Sequence, residues 1–189
     1  MSLIEPRNAV SGQRVLPAQN EHEYFDVVDP QDRVIGRERR AVVHARGLYH
    51  RAVHILVVNS TGQLLLQRRS LSKDTNPGKW TTACCGHVDA GEDYLQAAHR
   101  ELTEELGIAE LPPEALREVW RHRPCRATGM EFIRVYRLLW DGDLLPDPQE
   151  ISELRWLSSG DLSEAIAERP RVFTASLRLI WTHCASALA

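Results

Sequence analysis

Between residues 86 and 108 the chain reads GHVDAGEDYLQAAHRELTEELGI, and this stretch restricts the fold more than any other. Leu95, Ala98, Leu102 and Leu106 recur at three- and four-residue intervals, so the spacing predicts a helix over residues 92–106 with one buried stripe. Gly107 stands where a C-terminal glycine stops a helix. Glu101, Glu104 and Glu105 fall at i, i+3 and i+4 and project together from a neighbouring face. Like charges at that spacing cost a helix roughly 0.2–0.5 kcal/mol per pair. Folding gains nothing from them, whereas a divalent cation such as Mg²⁺ or Mn²⁺ favours clustered hard oxygen donors.

Strand-like segments surround this helix. EYFDVVD, a PQDR turn and RVIGRERR form one hairpin, and AVVHARGLYH is a short helix or turn ended by Gly47. RAVHILVVN and LLLQRRS, separated by STGQ, form the clearest hairpin of the chain. SKDTNPGKW is a loop, and TTACCGHVD leads into the helix. ALREVWRHR, MEFIRVYRLLW and ISELRWLS read as further strands, and DLSEAIAER and FTASLRLIWTHCASAL as amphipathic helices. There is no strict βαβ rhythm, which points to an α/β fold with a mixed sheet between helices. A chain of 189 residues with 43% hydrophobic composition supports one substantial core. The expected organisation is a flexible extension over residues 1–21 and one domain over residues 22–189.

A net charge of −3, with both signs interspersed, gives no electrostatic case for a nucleic-acid polymer or an anionic membrane as partner. Four cysteines, Cys84, Cys85, Cys125 and Cys184, contain no C-x-x-C pair and suit reduced thiols. With no signal-peptide core and no apolar run of membrane-spanning length, the expected location is cytoplasmic.

The helix stretch also fits the pattern G-x5-E-x7-R-E-U-x-E-E-x-G-U, where U is aliphatic, from Gly86 through Glu92, Arg100 and the three glutamates to Ile108. In this it resembles the Nudix hydrolase superfamily, and the flanks resemble the same superfamily more weakly over about residues 24–156. The resemblance implies a Nudix fold, a mixed β-sheet in an α/β/α sandwich, and hydrolysis of a small-molecule diphosphate linked to a nucleoside or other moiety. It implies Mg²⁺ or Mn²⁺ on Glu101, Glu104, Glu105 and the Gly86 carbonyl. Arg100 would hold the carboxylates, and Glu92 would brace the loop. Glu150, six residues before Trp156 in EISELRW, is the candidate base, with an exposed loop acid as the alternative.

Upstream lie Arg68, Arg69, Lys73 and Lys79. Strand alternation sends Arg68 and Arg69 to opposite faces, and Arg69 and Lys73 are the preferred diphosphate contacts, with solubilising surface charge as the alternative for all four.

One branch of the superfamily, type 1 isopentenyl diphosphate isomerase, is similar in further places. It shares an R-R-x-x-S-K run (residues 68–73), a P-G-x-W turn (residues 77–80) and the Cys85-Gly86-His87 triplet. That likeness implies proton exchange by Cys85 and a second metal site at His44, His50, His87 and Glu131. Departures weigh against it: the isomerases lack the full R-E-x-x-E-E set that holds Glu101 and Glu104 here. Their second acidic ligand is Gly129 in this chain, a tyrosine is Cys125, and FTASLRL lacks a covering tryptophan. A non-catalytic nucleotide-binding module is a third reading, opposed by the complete acidic triplet. Trp80, Tyr136 and Trp140 are candidates for base stacking or for the core, and the N-terminal strand and C-terminal helices offer a homodimer surface.

Overall fold

The computed structural model describes residues 23–187, so the expected extension over residues 1–21 lies outside the described residues. An N-terminal hairpin, β1 (Tyr24–Val28) and β2 (Val34–Arg39), stands as a two-stranded sheet and runs into α1 (Arg40–Arg46). Gly47 ends α1 with φ of 60°, a left-handed cap that glycine adopts without steric cost.

The main sheet holds β3 (His50–Val58), β4 (Leu64–Arg69), β5 (Trp80–Thr82), β6 (Cys84–His87), β7 (Arg117–His122), β8 (Glu131–Leu139) and β9 (Ile151–Leu157). Its main path runs β5-β4-β3-β8-β7, with β6 on β3 and β9 on β4. β3 and β8 pair in parallel over their whole length, and the other pairings are antiparallel, so the sheet is mixed.

Alternation along β3 assigns the layers. Val53, Ile55 and Val57 face a core shared with Ala97, Ala98, Leu102 and Leu106 of α2 (Tyr94–Leu106). Ala52, Leu56 and Val58 face the opposite core, shared with Leu162 of α3 (Ser159–Glu168) and Leu177, Ile180 and Trp181 of α4 (Ala175–Cys184). Helices on both faces of a mixed sheet make the expected α/β/α sandwich.

Three local expectations are corrected. α2 begins at Tyr94, because Asp93 accepts from the backbone N–H groups of Leu95 and Gln96 and caps the helix there. Glu92 is thereby left in the loop. The buried stripe is wider than expected, taking in Tyr94 and Ala97 while Leu95 is half-buried. The β3–β4 hairpin keeps its turn but pairs at Val58↔Leu64 alone, since β6 takes the edge of β3 from Ala52 to Ile55 and β5 takes that of β4. The two strands therefore splay. The cleft described below opens between them.

Candidate active site

A cleft of about 500 Å³ opens here. Its walls include Arg69 of β4, His54 of β3, Cys85 and Gly86 of β6, Glu101 and Glu105 of α2, and Glu150 just ahead of β9. Sheet pairing decides what meets on each wall: Gly86 lies opposite Val53 and Cys85 opposite His54.

The three glutamates of α2 do not share one environment. Glu101 and Glu105 are buried, at 9% and 3% exposure, whereas Glu104 stands on the rim. Burial, and then the neighbouring Glu105 carboxylate, push Glu101 up to about 8. Burial likewise raises Glu105, against the pull of the Lys73 ammonium. Glu105 Oε2 accepts hydrogen bonds from Gln67 Nε2 at 2.9 Å and the Cys85 backbone N–H at 3.2 Å. The Glu101 carboxylate packs over Gly86 so tightly that a Cβ there would overlap it. A glycine at this place is therefore a matter of room for a carboxylate.

Arg100 organises the acids. It donates to Glu92 from Nε at 2.9 Å and Nη2 at 3.0 Å, to Glu101 from Nη1 at 2.7 Å, and to Glu104 from Nη1 at 3.1 Å. Nη2 also reaches the His87 carbonyl at 2.9 Å. Burial opposes its charge, but the bonds to Glu92 and Glu101 outweigh that and raise its pKa. Glu92 in turn accepts from the Asp89 backbone at 3.0 Å, tying the loop to the helix.

Further cations line the cleft. Arg69 is nearly buried and donates to Thr75 O at 2.9 Å and Thr75 Oγ1 at 3.2 Å, holding the β4–β5 loop. Arg68 turns away, toward Gly78 O and Glu153. Lys73 is ion-paired with Glu150, and burial lowers its pKa. Glu150 is a half-buried acid at the cleft wall, unlike an exposed loop acid. Lys79 is not among the lining residues.

A second cluster adjoins the first. Ligand nitrogens of His44, His50 and His87 all lie within 4.8 Å of one another. Glu131 Oε1 is 3.3 Å from His87 Nε2 and 3.8 Å from His50 Nε2. His50 Nδ1 bonds the Leu48 carbonyl at 2.9 Å, which places its hydrogen there and leaves Nε2 as a lone pair. The Nε2 atoms of His44 and His50 are buried and, among the described residues, make no hydrogen bond. Burial holds His44 and His50 at about 4 and His87 at about 3, so all three are neutral at pH 7. Two donor sets thus fit cations: hard oxygens beside Gly86, and neutral imidazoles beside Glu131.

Cys85 lines the same cleft, and burial pushes its thiol up to about 11, leaving it protonated. Trp80 and Tyr136 are core residues, and Trp140 packs on the core edge, so none of the three lines the cleft. Sequence reasoning missed His54, Arg40, Asp147, Thr174 and Ser176, all of which line it. A histidine inside the aliphatic run of β3 was the available signal.

The NUDIX domain family matches residues 48–177 of the chain. An isopentenyl-diphosphate Delta-isomerase of Burkholderia multivorans is 39% identical over 86% of this chain and 90% of that one. An uncharacterized Nudix hydrolase of Pseudomonas aeruginosa is 41% identical over 74% and 81%. A crystal structure from Deinococcus radiodurans superposes with a TM-score of 0.68 at 34% identity, covering 77% of this chain and 90% of that chain. With the signature helix, the mixed sheet and these relatives in agreement, the chain belongs to the Nudix superfamily, in its isopentenyl-diphosphate-isomerase-like branch.

Proposed function

We propose that the protein is a divalent-metal-dependent hydrolase of a diphosphate linked to another moiety. One observation carries the reading: two buried carboxylates, Glu101 and Glu105, line a cleft that Arg69 and Lys73 also line. A buried acidic pair is costly without cations, and a diphosphate brought in by arginine and lysine is the substrate such cations serve.

Bound Mg²⁺ or Mn²⁺ would rest on Glu101, Glu104, Glu105 and the Gly86 carbonyl, neutralising phosphoryl charge and easing deprotonation of a water. The chain's own groups do the rest. Arg100 and Glu92 hold the acids in register, and Arg69 orients the diphosphate by its guanidinium fork. Glu150 accepts the proton of the attacking water once Lys73 turns from it to the diphosphate.

The test is phosphate release from a panel of nucleoside and non-nucleoside diphosphates, with and without excess chelator. Metal-dependent release is expected, and full activity in chelator overturns the mechanism.

Cys85 in the same cleft, beside the histidine cluster and Glu131, favours a second reading, proton exchange at a carbon–carbon double bond. Isomerisation of an isoprenoid diphosphate without phosphate release would replace the first reading with this one.

A further inference from the structure

The wall beside Cys85 holds polar groups that hydrolysis does not use. His54 is 4% exposed, Thr81 1% and Thr174 3%, and Ser176 joins them from the first turn of α4. Buried groups of this kind need partners, and counting hydrogens shows which ones lack them.

Thr82 Oγ1 donates its single hydrogen to the Cys84 carbonyl at 3.2 Å. His54 Nδ1 lies 2.9 Å from the same oxygen, so the imidazole must be the donor there. The tautomer is thereby set: the hydrogen is on Nδ1, and Nε2 presents a bare lone pair. Burial holds the ring at about 4, so it stays neutral. Among the described residues Nε2 has no hydrogen-bond donor, and His54 lines the cleft.

The hydroxyls complete the pattern. Thr174 Oγ1 donates to Thr81 Oγ1 at 3.2 Å and accepts from the Leu177 N–H at 3.1 Å. Its hydrogen being committed, Ser176 donates to it across 3.1 Å and keeps its own lone pairs. Thr81 then holds a hydrogen whose protein partner is the Cys85 sulfur at 4.0 Å, a long and weak contact. The wall so offers acceptors at His54 Nε2 and Ser176 Oγ, and a donor at Thr81.

A hydroxyl group both donates and accepts, and so satisfies such a wall atom for atom. An alkyl or prenyl chain would strip these groups of water and return nothing. A flat base needs a stacking face, and Phe25 on the lining is fully buried and already stacked on His87 at 4.5 Å. We propose that this wall is a hydroxyl-recognition subsite, and that the moiety linked to the diphosphate is a hydroxylated carbon chain of the sugar or polyol class. The proposal rests on the reading of the cleft as a diphosphate site.

The probes are two non-hydrolysable methylenebisphosphonate monoesters, one of a pentitol and one of n-pentanol, titrated calorimetrically into the full chain with Mg²⁺. The pentitol ester should bind about 30-fold tighter, the size expected when buried partners are met rather than stranded. His54→Asn keeps an amide donor toward Thr82 but has nothing at the Nε2 position. It and Ser176→Ala should each weaken the pentitol ester about 5-fold or more while leaving the pentyl ester within about 2-fold. Should His54→Asn fail to fold, Thr81→Val and Ser176→Ala carry the same comparison. Equal affinity, tighter pentyl binding, binding of neither ester or insensitivity to all three variants overturns the subsite. Phosphate release from the matching diphosphate esters separates the two readings. Discrimination in binding without release ends the hydrolase and leaves the subsite. Equal release from both esters ends the subsite and leaves the hydrolase.

Discussion

The Glu101 carboxylate occupies the space directly over Gly86 that a Cβ would need. Gly86 is not among the left-handed glycines, so alanine fits its backbone, and the nearest atoms its Cβ meets are those of the carboxylate. Gly86→Ala should therefore fold, yet displace one of the proposed metal ligands. We expect a melting temperature within about 5 °C of wild type and about 10²-fold slower phosphate release, the loss that a 1 Å misplacement brings. Circular-dichroism melts and steady-state rates check both, and a wild-type rate refutes the placement.

Glu105→Gln separates stability from function. Glutamine retains an oxygen to accept from Gln67 and the Cys85 N–H, and it removes the repulsion toward Glu101 one turn away. In chelator the variant should be more stable than wild type by at least about 0.2–0.5 kcal/mol. It should also lose the melting-temperature increase that Mg²⁺ gives the wild type, and lose turnover. A variant both active and Mg²⁺-stabilised removes Glu105 from the site.

These two residues also show what the sequence made legible. Positional spacing is enough to bring Glu101, Glu104 and Glu105 onto one side of α2, because helical geometry is local. It does not tell that Glu101 and Glu105 are buried while Glu104 is on the rim, since burial depends on β6 and Gln67 packing over them. For the same reason the β3–β4 turn was readable and the splay after it was not. Strands that come from residues 80–87 separate β3 from β4, and that competition is non-local. His54 went unnoticed because a β-branched strand gives no hint of which face meets a cleft. Its partner Thr82 is 28 residues away.

Stability against pH follows from opposed groups. His44, His50 and His54 are held at about 4 and His87 at about 3 by burial, against an ordinary 6.5. The unfolded chain gains protons below 6.5 that the folded chain refuses, so their contribution is complete above 6.5 and lost as pH falls toward 4. Glu101, raised by burial and Glu105 to about 8 from 4.5, acts oppositely. Its contribution is complete below 4.5 and lost as pH rises to 8. Metal-free protein should be most stable near pH 7 in urea titrations, where the protons gained by the four histidines of the unfolded chain balance the one that Glu101 holds. Added Mg²⁺ should flatten the alkaline limb, because a cation replaces the proton on Glu101. A metal-free optimum at pH 8 or above contradicts the buried acid pair.

Cys85 distinguishes the two chemistries. Its thiol is protonated and its contacts are weak, with Thr81 Oγ1 4.0 Å from the sulfur. Cys85→Ser should keep phosphate release within about 3-fold of wild type, as expected of a near-isosteric change in a side chain that hydrolysis does not use and that leaves the backbone N–H bonded to Glu105. An isomerase loses its proton donor in the same variant. Loss of phosphate release together with a normal melting curve places the sulfur in the reaction.

The Lys73–Glu150 pair gives a prediction in which two kinetic constants move in a diagnostic way. The side chains are 10% and 17% exposed, so water screens their attraction weakly, and each restrains the other. If Glu150 is the base, Glu150→Gln should lower kcat by about 10²–10⁴-fold. It also frees the Lys73 ammonium for the diphosphate, so KM should fall. Lys73→Gln removes that ammonium, and KM should rise. In the double variant the two changes should not add, since the partners share one interaction. An unchanged kcat in Glu150→Gln assigns the proton to another acceptor, with Asp147 on the same wall the next to substitute. Additive effects would mean that Lys73 and Glu150 act separately during turnover, and that the ion pair of the unliganded protein plays no part in freeing the base.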